Sequence, residues 1–324
     1  MQARRNPGTG VILITGAGGL LGANLVLDFC SRSLEVVAVD RECLPMTDGT
    51  QAVRCDLTDS GHVSRLFGEW RPHCVIHCAA LTDVDRCETD PQQASRINVE
   101  MSGDLATVAA HFGSQFVYIS SDSVFDGTRG GYAEEDDVAP VNAYARSKLE
   151  GEIAVRSASP DSLVVRTNIY GWNMQPKASL AEWILSRLEA GSEVPGFQDV
   201  VFCPILVNDL GEVILEMLGR RLTGLFHVAG SEACSKYEFA LRLAGMFGLD
   251  RGLVRPTSVE HSALRAPRPK NTSLCTARVG RALDRPMPSL DAGLERFKAL
   301  RDSGFVAHLK QAGTEERHAC APDR

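Results

Sequence analysis

The run Val11-Ile-Leu-Ile-Thr15, followed at once by Gly16-Ala-Gly-Gly19-Leu-Leu-Gly22 and then by Ala23 to Phe29, leaves this chain few folds to choose from. The first segment is short, continuously apolar and bounded by turn signals, as a strand buried on both faces is. The last is a helical run. Glycines between strand and helix allow a tight turn and let backbone N–H groups and the helix N-terminus face a pyrophosphate. A βα turn without a ligand is the plainer alternative, and the next strand bears on the choice. Leu34 to Asp40 is apolar and ends in an acid roughly twenty residues past the glycines, where a carboxylate accepts from both hydroxyls of an adenosine ribose. Asp40 favours NAD, while Arg41 beside it suits the 2′-phosphate of NADP. The expected nucleotide contacts in this stretch are Gly16, Gly18, Gly19, Leu20, Leu21, Gly22, Asp40 and Arg41.

The alternation continues. Val53 to Leu57 reads as a third strand, with Asp56 and Leu57 near the adenine, and Gly61 to Trp70 as a helix closed by Pro72. His73 to Ala80 reads as a fourth strand, whose small Cys78, Ala79 and Ala80 let backbone approach the cofactor. Leu81 to Asp90 is a polar loop, and Pro91 opens a long helix through Phe112 with Asn98 inside it. Gln115 to Ser120 is the fifth strand and Leu163 to Asn168 the sixth. Such a succession gives an α/β fold with a doubly wound parallel sheet, of Rossmann type, with ligands at the carboxyl ends of its strands. Beyond it, Val201 to Val207 and Leu225 to Ala229 read as strands. Leu180 to Ala190, Asp209 to Leu218 and Lys236 to Phe247 read as helices. The expected division is a dinucleotide-binding domain over 10–172, with 198–230 packing back on it, and a smaller α/β substrate-binding part over 173–197 and 231–306. The tails 1–9 and 313–324 are expected to be disordered.

The chemistry concentrates between Tyr118 and Lys148. Tyr118-Ile-Ser-Ser-Asp-Ser-Val-Phe-Asp-Gly reads as a strand end carrying the hydroxyl of Ser121, and Tyr144-Ala-Arg-Ser-Lys148 puts two functional side chains on one helix face. A serine, a tyrosine and a lysine that converge move a proton to or from a carbonyl or alcohol. A cationic Lys148 is expected to lower the tyrosine pKa, and Ser121 to hydrogen-bond the same substrate oxygen. Each residue alone means nothing. The glycines, Asp40, Ala79 and Ser121 all fall at strand ends of one sheet, and that agreement makes them one site, with Lys148 also reaching the nicotinamide ribose. In the C-terminal part, the loop Leu264 to Asn271 carries Arg265, Arg268 and Lys270 among prolines. It is either a diphosphate contact or a solvated surface loop.

Composition narrows the setting. A net charge of −7 argues against a nucleic-acid or anionic-membrane surface, and no apolar run approaches transmembrane length. The ten cysteines include no CxxC pair and sit mostly in apolar runs, which reads as a reducing cytoplasm without a disulfide framework. Met1 to Gly10 is polar and basic, unlike a signal peptide. His73, His77 and His111 lack metal-ligand spacing and read as packing or capping residues, so no metal is expected.

Together these residues resemble the extended short-chain dehydrogenase/reductase family, and within it the branch of dTDP-4-dehydrorhamnose reductases. The resemblance runs from Val11 to Phe297. Its motifs are Thr-Gly-Ala-Gly-Gly-Leu-Leu-Gly, Cys-Ala-Ala-Leu-Thr-Asp-Val-Asp, Ile-Ser-Ser-Asp-Ser-Val-Phe-Asp-Gly and Tyr-Ala-Arg-Ser-Lys-Leu-Glu-Gly-Glu, with Pro204 to Leu210, Tyr237-Glu-Phe-Ala and Arg268-Pro-Lys-Asn. It implies Tyr144 as proton donor, Lys148 as its partner and Ser121 where the branch usually has threonine. It implies hydride transfer from NAD or NADP to a sugar keto group, a nucleotide-sugar partner in the C-terminal part, and a homodimer. The sugar contacts it implies are Thr82, Val84, Ser121, Asp122, Ser123, Asn168 and Arg268. Two departures bear on the sugar: Ser123 stands where the branch has an aromatic residue, and the segment Asn168 to Gly171 is shorter, with Trp172 only afterwards. Two other readings stay open. One is a redox-neutral nucleotide-sugar epimerase that retains its NAD. The other is a non-catalytic subunit resembling the regulatory β subunit of methionine adenosyltransferase.

Overall fold

The computed structural model describes residues 10–42, 50–262 and 264–314. The expected disordered tails lie outside the described residues, except that a helix Phe305–Thr314 reaches into the second. The centre is a seven-stranded sheet. Its strands are β1 (Ile12–Thr15), β2 (Val36–Asp40), β3 (Gln51–Arg54), β4 (Cys74–His77), β5 (Gln115–Ser121), β6 (Leu163–Thr167) and, at one edge, Gly224–His227. The order is β3-β2-β1-β4-β5-β6 and then Gly224–His227, and every pairing is parallel. The chain winds outward in both directions from β1, so the crevice for a ligand opens where β1 and β4 part.

The two-residue period of a strand explains why these runs are apolar throughout. Ile12 and Ile14 of β1 point into one core, with Leu25 and Phe29 of α1 (Leu20–Ser31) and Val213, Ile214 and Met217 of the helix Val207–Gly219. Leu13 points into the other, with Phe67 of α2 (Ser60–Trp70), Leu105 and Val155. A third core lies in the C-terminal part, where Trp172 stacks on Phe297 with ring centroids 4.1 Å apart, beside Tyr170, Phe239 and Leu243.

Several boundaries differ from the sequence reading for physical reasons. The polar loop contains a short helix α3 (Val84–Thr89), because the Asp83 carboxylate accepts from Arg86 N at 3.0 Å and caps it. The long helix is split into α4 (Pro91–Ser95), a π-helical turn Arg96–Glu100 and α5 (Met101–Phe112). That turn frees the Asn98 carbonyl to accept from Tyr118 Oη at 3.2 Å and Ser102 Oγ at 3.0 Å. The strand expected over Val201 to Val207 is two short ones, Val201–Phe202 and Ile205–Leu206, interrupted at Pro204, which has no N–H to give to a ladder. Among the described residues no helix is long and apolar enough to cross a membrane, and no cluster of three or more His, Cys, Asp or Glu is placed to hold a metal.

Candidate active site

The glycine turn closes tightly between β1 and α1. Gly16 takes φ +63°, and a Cβ there would stand 2.6 Å from the Ala79 amide nitrogen; at Gly22 it would stand 2.2 Å from the Gly16 carbonyl oxygen. Only glycine fits either place. Gly19 caps α1 with no side chain, and the first turn holds no acid, so its N–H groups face outward for an anion. Asp40 lies across the turn and accepts from Gly18 N at 2.9 Å and Arg41 N at 2.7 Å. The Arg41 side chain is largely exposed. Cys78, Ala79 and Ala80 line the end of β4, and Ala79 N donates to Thr15 Oγ1 at 3.3 Å. Asp56 follows β3, where hydrogen bonds from Thr58 hold its carboxyl below the usual range; Leu57 and Leu21 turn into the core, and Leu20 packs against it. His77 bridges Thr15 Oγ1 (2.7 Å) and Ser102 Oγ (3.1 Å), and burial drives its pKa down to about 3, so it is a neutral structural histidine.

Asn98 stands behind this end of the sheet. Its amide accepts from Leu81 N (2.8 Å) and donates to Leu81 O (3.0 Å) and Ser147 Oγ (2.9 Å), so it ties the β4 loop to α6 (Ala143–Ala158). Asn142 caps α6 by accepting from Ala145 N at 2.8 Å, and its amide donates to Pro267 O at 2.9 Å. This places Tyr144 and Lys148, one turn apart, over the end of β5, with Ser121 facing the tyrosine hydroxyl.

Burial raises the Tyr144 pKa to about 12, against the lowering effect of its hydrogen bond with Ser121. Lys148 is buried, its Nζ 4.1 Å from the centre of the Tyr118 ring, and burial lowers its pKa to about 7 while Glu152 pulls it up. Burial therefore outweighs the lowering of the tyrosine pKa expected from the sequence. Glu152, one turn past Lys148, is itself locked by Arg166 Nη2 (2.7 Å) and Ser120 Oγ (2.5 Å).

Asp122 is a hub. Its Oδ1 accepts from Ser121 Oγ (3.2 Å) and Ser123 Oγ (3.4 Å), and its Oδ2 from Asn168 Nδ2 (2.8 Å) and Thr272 Oγ1 (2.5 Å). With its acceptor positions taken, Asp122 organises the site wall. Thr82 is exposed at the rim and Val84 starts α3. Arg268 pairs with Asp85 at 3.1 Å and Lys270 with Glu260 at 2.6 Å, while Leu264, Arg265 and Lys270 stay exposed, so the loop is tied to α3 through Arg268 and otherwise faces solvent. Trp172 is buried, its Nε1 donating to Phe297 O at 2.9 Å, and it belongs to the C-terminal core. Two residues absent from the expected set join the site. Thr272 holds Asp122, and Lys236, whose pKa burial lowers to about 8, lies near enough to Asp122 for that carboxylate to pull partly the other way.

A doubly wound sheet with an uncapped glycine turn and a Ser–Tyr–Lys constellation at strand ends defines the extended short-chain dehydrogenase/reductase class. More narrowly, residues 10–301 match the model of the RmlD substrate binding domain, and the chain belongs to that family. It is 31% identical to the dTDP-4-dehydrorhamnose reductase of Bacillus anthracis, solved in complex with NADP, at a TM-score of 0.81 over 90% of this chain and 99% of that one. It is 34% identical over 290 residues to a Haloferax volcanii protein named as a probable low-salt glycan biosynthesis reductase, Agl14, covering 88% of this chain and 96% of the relative. It is also 34% identical over 271 residues to the β subunit of methionine adenosyltransferase 2 of Rattus norvegicus, covering 81% and 79%.

Proposed function

We propose that the protein reduces the 4-keto group of a nucleoside-diphosphate 4-keto-6-deoxy sugar with NADH or NADPH. The residues fit the dinucleotide: the uncapped start of α1 and the crowded glycines receive the pyrophosphate, and Asp40 the adenosine ribose. The bound nicotinamide supplies the hydride. Tyr144 gives its hydroxyl proton to the sugar oxygen, Ser121 donates to that same oxygen, and Lys148 holds the nicotinamide ribose beneath Tyr144. The sugar lies between Tyr144 and the wall formed by Asp122, Asn168 and the loop before Thr272.

The observation that supports this reading is the convergence of Ser121, Tyr144 and Lys148 at the end of β5, in a chain 31% identical to a dTDP-4-dehydrorhamnose reductase; burial keeps the Tyr144 hydroxyl protonated beside Ser121. Reduction needs a neutral tyrosine to donate, whereas alcohol oxidation needs the phenolate. Absorbance of the reduced nicotinamide tests it, with NADH or NADPH and a panel of 4-keto-6-deoxy nucleotide sugars. Loss of absorbance with one sugar is expected. Tight cofactor binding with no loss for any sugar contradicts the reading.

The match to a methionine adenosyltransferase β subunit favours one other reading, a cofactor-binding regulatory subunit. That reading predicts binding without turnover and a stable protein partner. The family resemblance supports a cytoplasmic homodimer, which sedimentation tests.

A further inference from the structure

Lys236 opens the helix Lys236–Met246, and its position is fixed by two features. Its backbone N donates to Val200 O at 2.9 Å, and Ser235 and Glu238 close a capping box around the first turn. Its ammonium lies 3.2 Å from the centre of the buried Phe202 ring. Among the described residues, no carboxylate oxygen lies within 4.0 Å of that ammonium and no acceptor takes a hydrogen bond from it. Burial lowers its pKa to about 8, and Asp122 is the chief charge pulling the other way. Asp122 already accepts from Ser121, Ser123, Asn168 and Thr272. The half-buried ammonium therefore rests on a ring face with no acceptor from the protein, open to a ligand oxygen where solvent reaches it. Perturbed titratable groups in such a setting concentrate at functional sites.

We propose that Lys236 is a substrate anchor whose ammonium donates to an oxygen substituent of the sugar ring, entering beside the Asp122 hub. The inference rests on the nucleotide-sugar reading above and deepens it. The sugar, rather than the diphosphate, is the assigned partner because Asp122 adds negative charge to this wall, which a hydroxyl tolerates and a dianion does not.

The test measures dissociation constants of dTDP and dTDP-rhamnose for the NADPH-bound protein, wild type against Lys236→Met and Lys236→Arg. A charge-assisted hydrogen bond lost from the complex weakens binding roughly ten- to a hundredfold. That loss is expected for dTDP-rhamnose with Lys236→Met, with partial recovery in Lys236→Arg and no change for dTDP. The Lys236→Met protein should bind NADPH normally and melt no lower than wild type, because methionine packs on Phe202 without an unpaired charge. Wild-type-like dTDP-rhamnose binding by Lys236→Met overturns the anchor alone. An equal loss for dTDP moves the contact to the diphosphate and overturns the sugar assignment. Failure of the wild type to bind either nucleotide overturns the nucleotide-sugar reading and the anchor with it.

Discussion

Tyr144 and Lys148 share a helix face and a buried setting, and burial drives their pKa values apart, up to about 12 and down to about 7. Tyr144→Phe removes the donated proton alone. Turnover should fall by roughly two to four orders of magnitude while cofactor affinity stays nearly unchanged; steady-state rates and cofactor titration check this. Asp40→Ala removes the ribose acceptor and should weaken NAD more than NADP, read from the two dissociation constants. Lys148 carries a pH signature. Its folded pKa lies below the ordinary 10.5, so the unfolded chain holds the extra proton between pH 7 and 10.5. The burial penalty is full below pH 7 and disappears as pH rises to 10.5. Lys148→Met should therefore raise the unfolding free energy at pH 7, and the gain should shrink toward pH 10.5 in denaturant titrations. Ser121, Tyr144 and Lys148 were legible because a strand end and a four-residue spacing are local signals. Thr272 and Lys236 were not. Thr272 meets Asp122 across 150 residues, and no short-range period records such a contact.

The glycine turn shows how an element is written in sequence. Strand, glycines and helix were legible together because only glycine satisfies the contacts at positions 16 and 22. Gly22→Ala should cost about 1–3 kcal/mol of stability and abolish cofactor binding, since the added methyl must displace the Gly16 carbonyl. Urea unfolding and cofactor titration read the two effects separately. The π-helical turn was not legible, because Arg96 to Glu100 has ordinary helix-forming residues. What selects the turn is tertiary: the Asn98 carbonyl finds Tyr118, and its amide finds Leu81 and Ser147. Val201 to Val207 read as one strand, but Pro204 divides it, and where the halves pair depends on Ile169–Tyr170 and Cys234–Ser235, which are distant in sequence.

Over the whole molecule, the parallel sheet was legible because each strand is apolar on both faces, and the sites gathered at its carboxyl ends followed from that topology. The burial of His77 agrees with its reading as a packing residue, whereas His227 drew no reading from the sequence. Desolvation lowers His77 and His227 each to about 3 from 6.5, so both enter the fold neutral. The unfolded chain takes up protons first as the pH falls. The stability they contribute is complete above 6.5 and is lost between 6.5 and 3, at about 1.4 kcal/mol per pH unit for each histidine. His77→Gln should make the acid limb of the unfolding curve shallower by about one such slope.

The account as a whole rests on net hydride transfer to the sugar. The most direct measurement supplies reduced nicotinamide deuterated at the transferable position, together with a 4-keto-6-deoxy nucleotide sugar, and locates the label in the product by mass spectrometry and NMR. The expected result is one deuterium at the sugar C4 for each nicotinamide oxidised. Sugar converted without deuterium at C4, or labelled nicotinamide bound and never consumed, would contradict it.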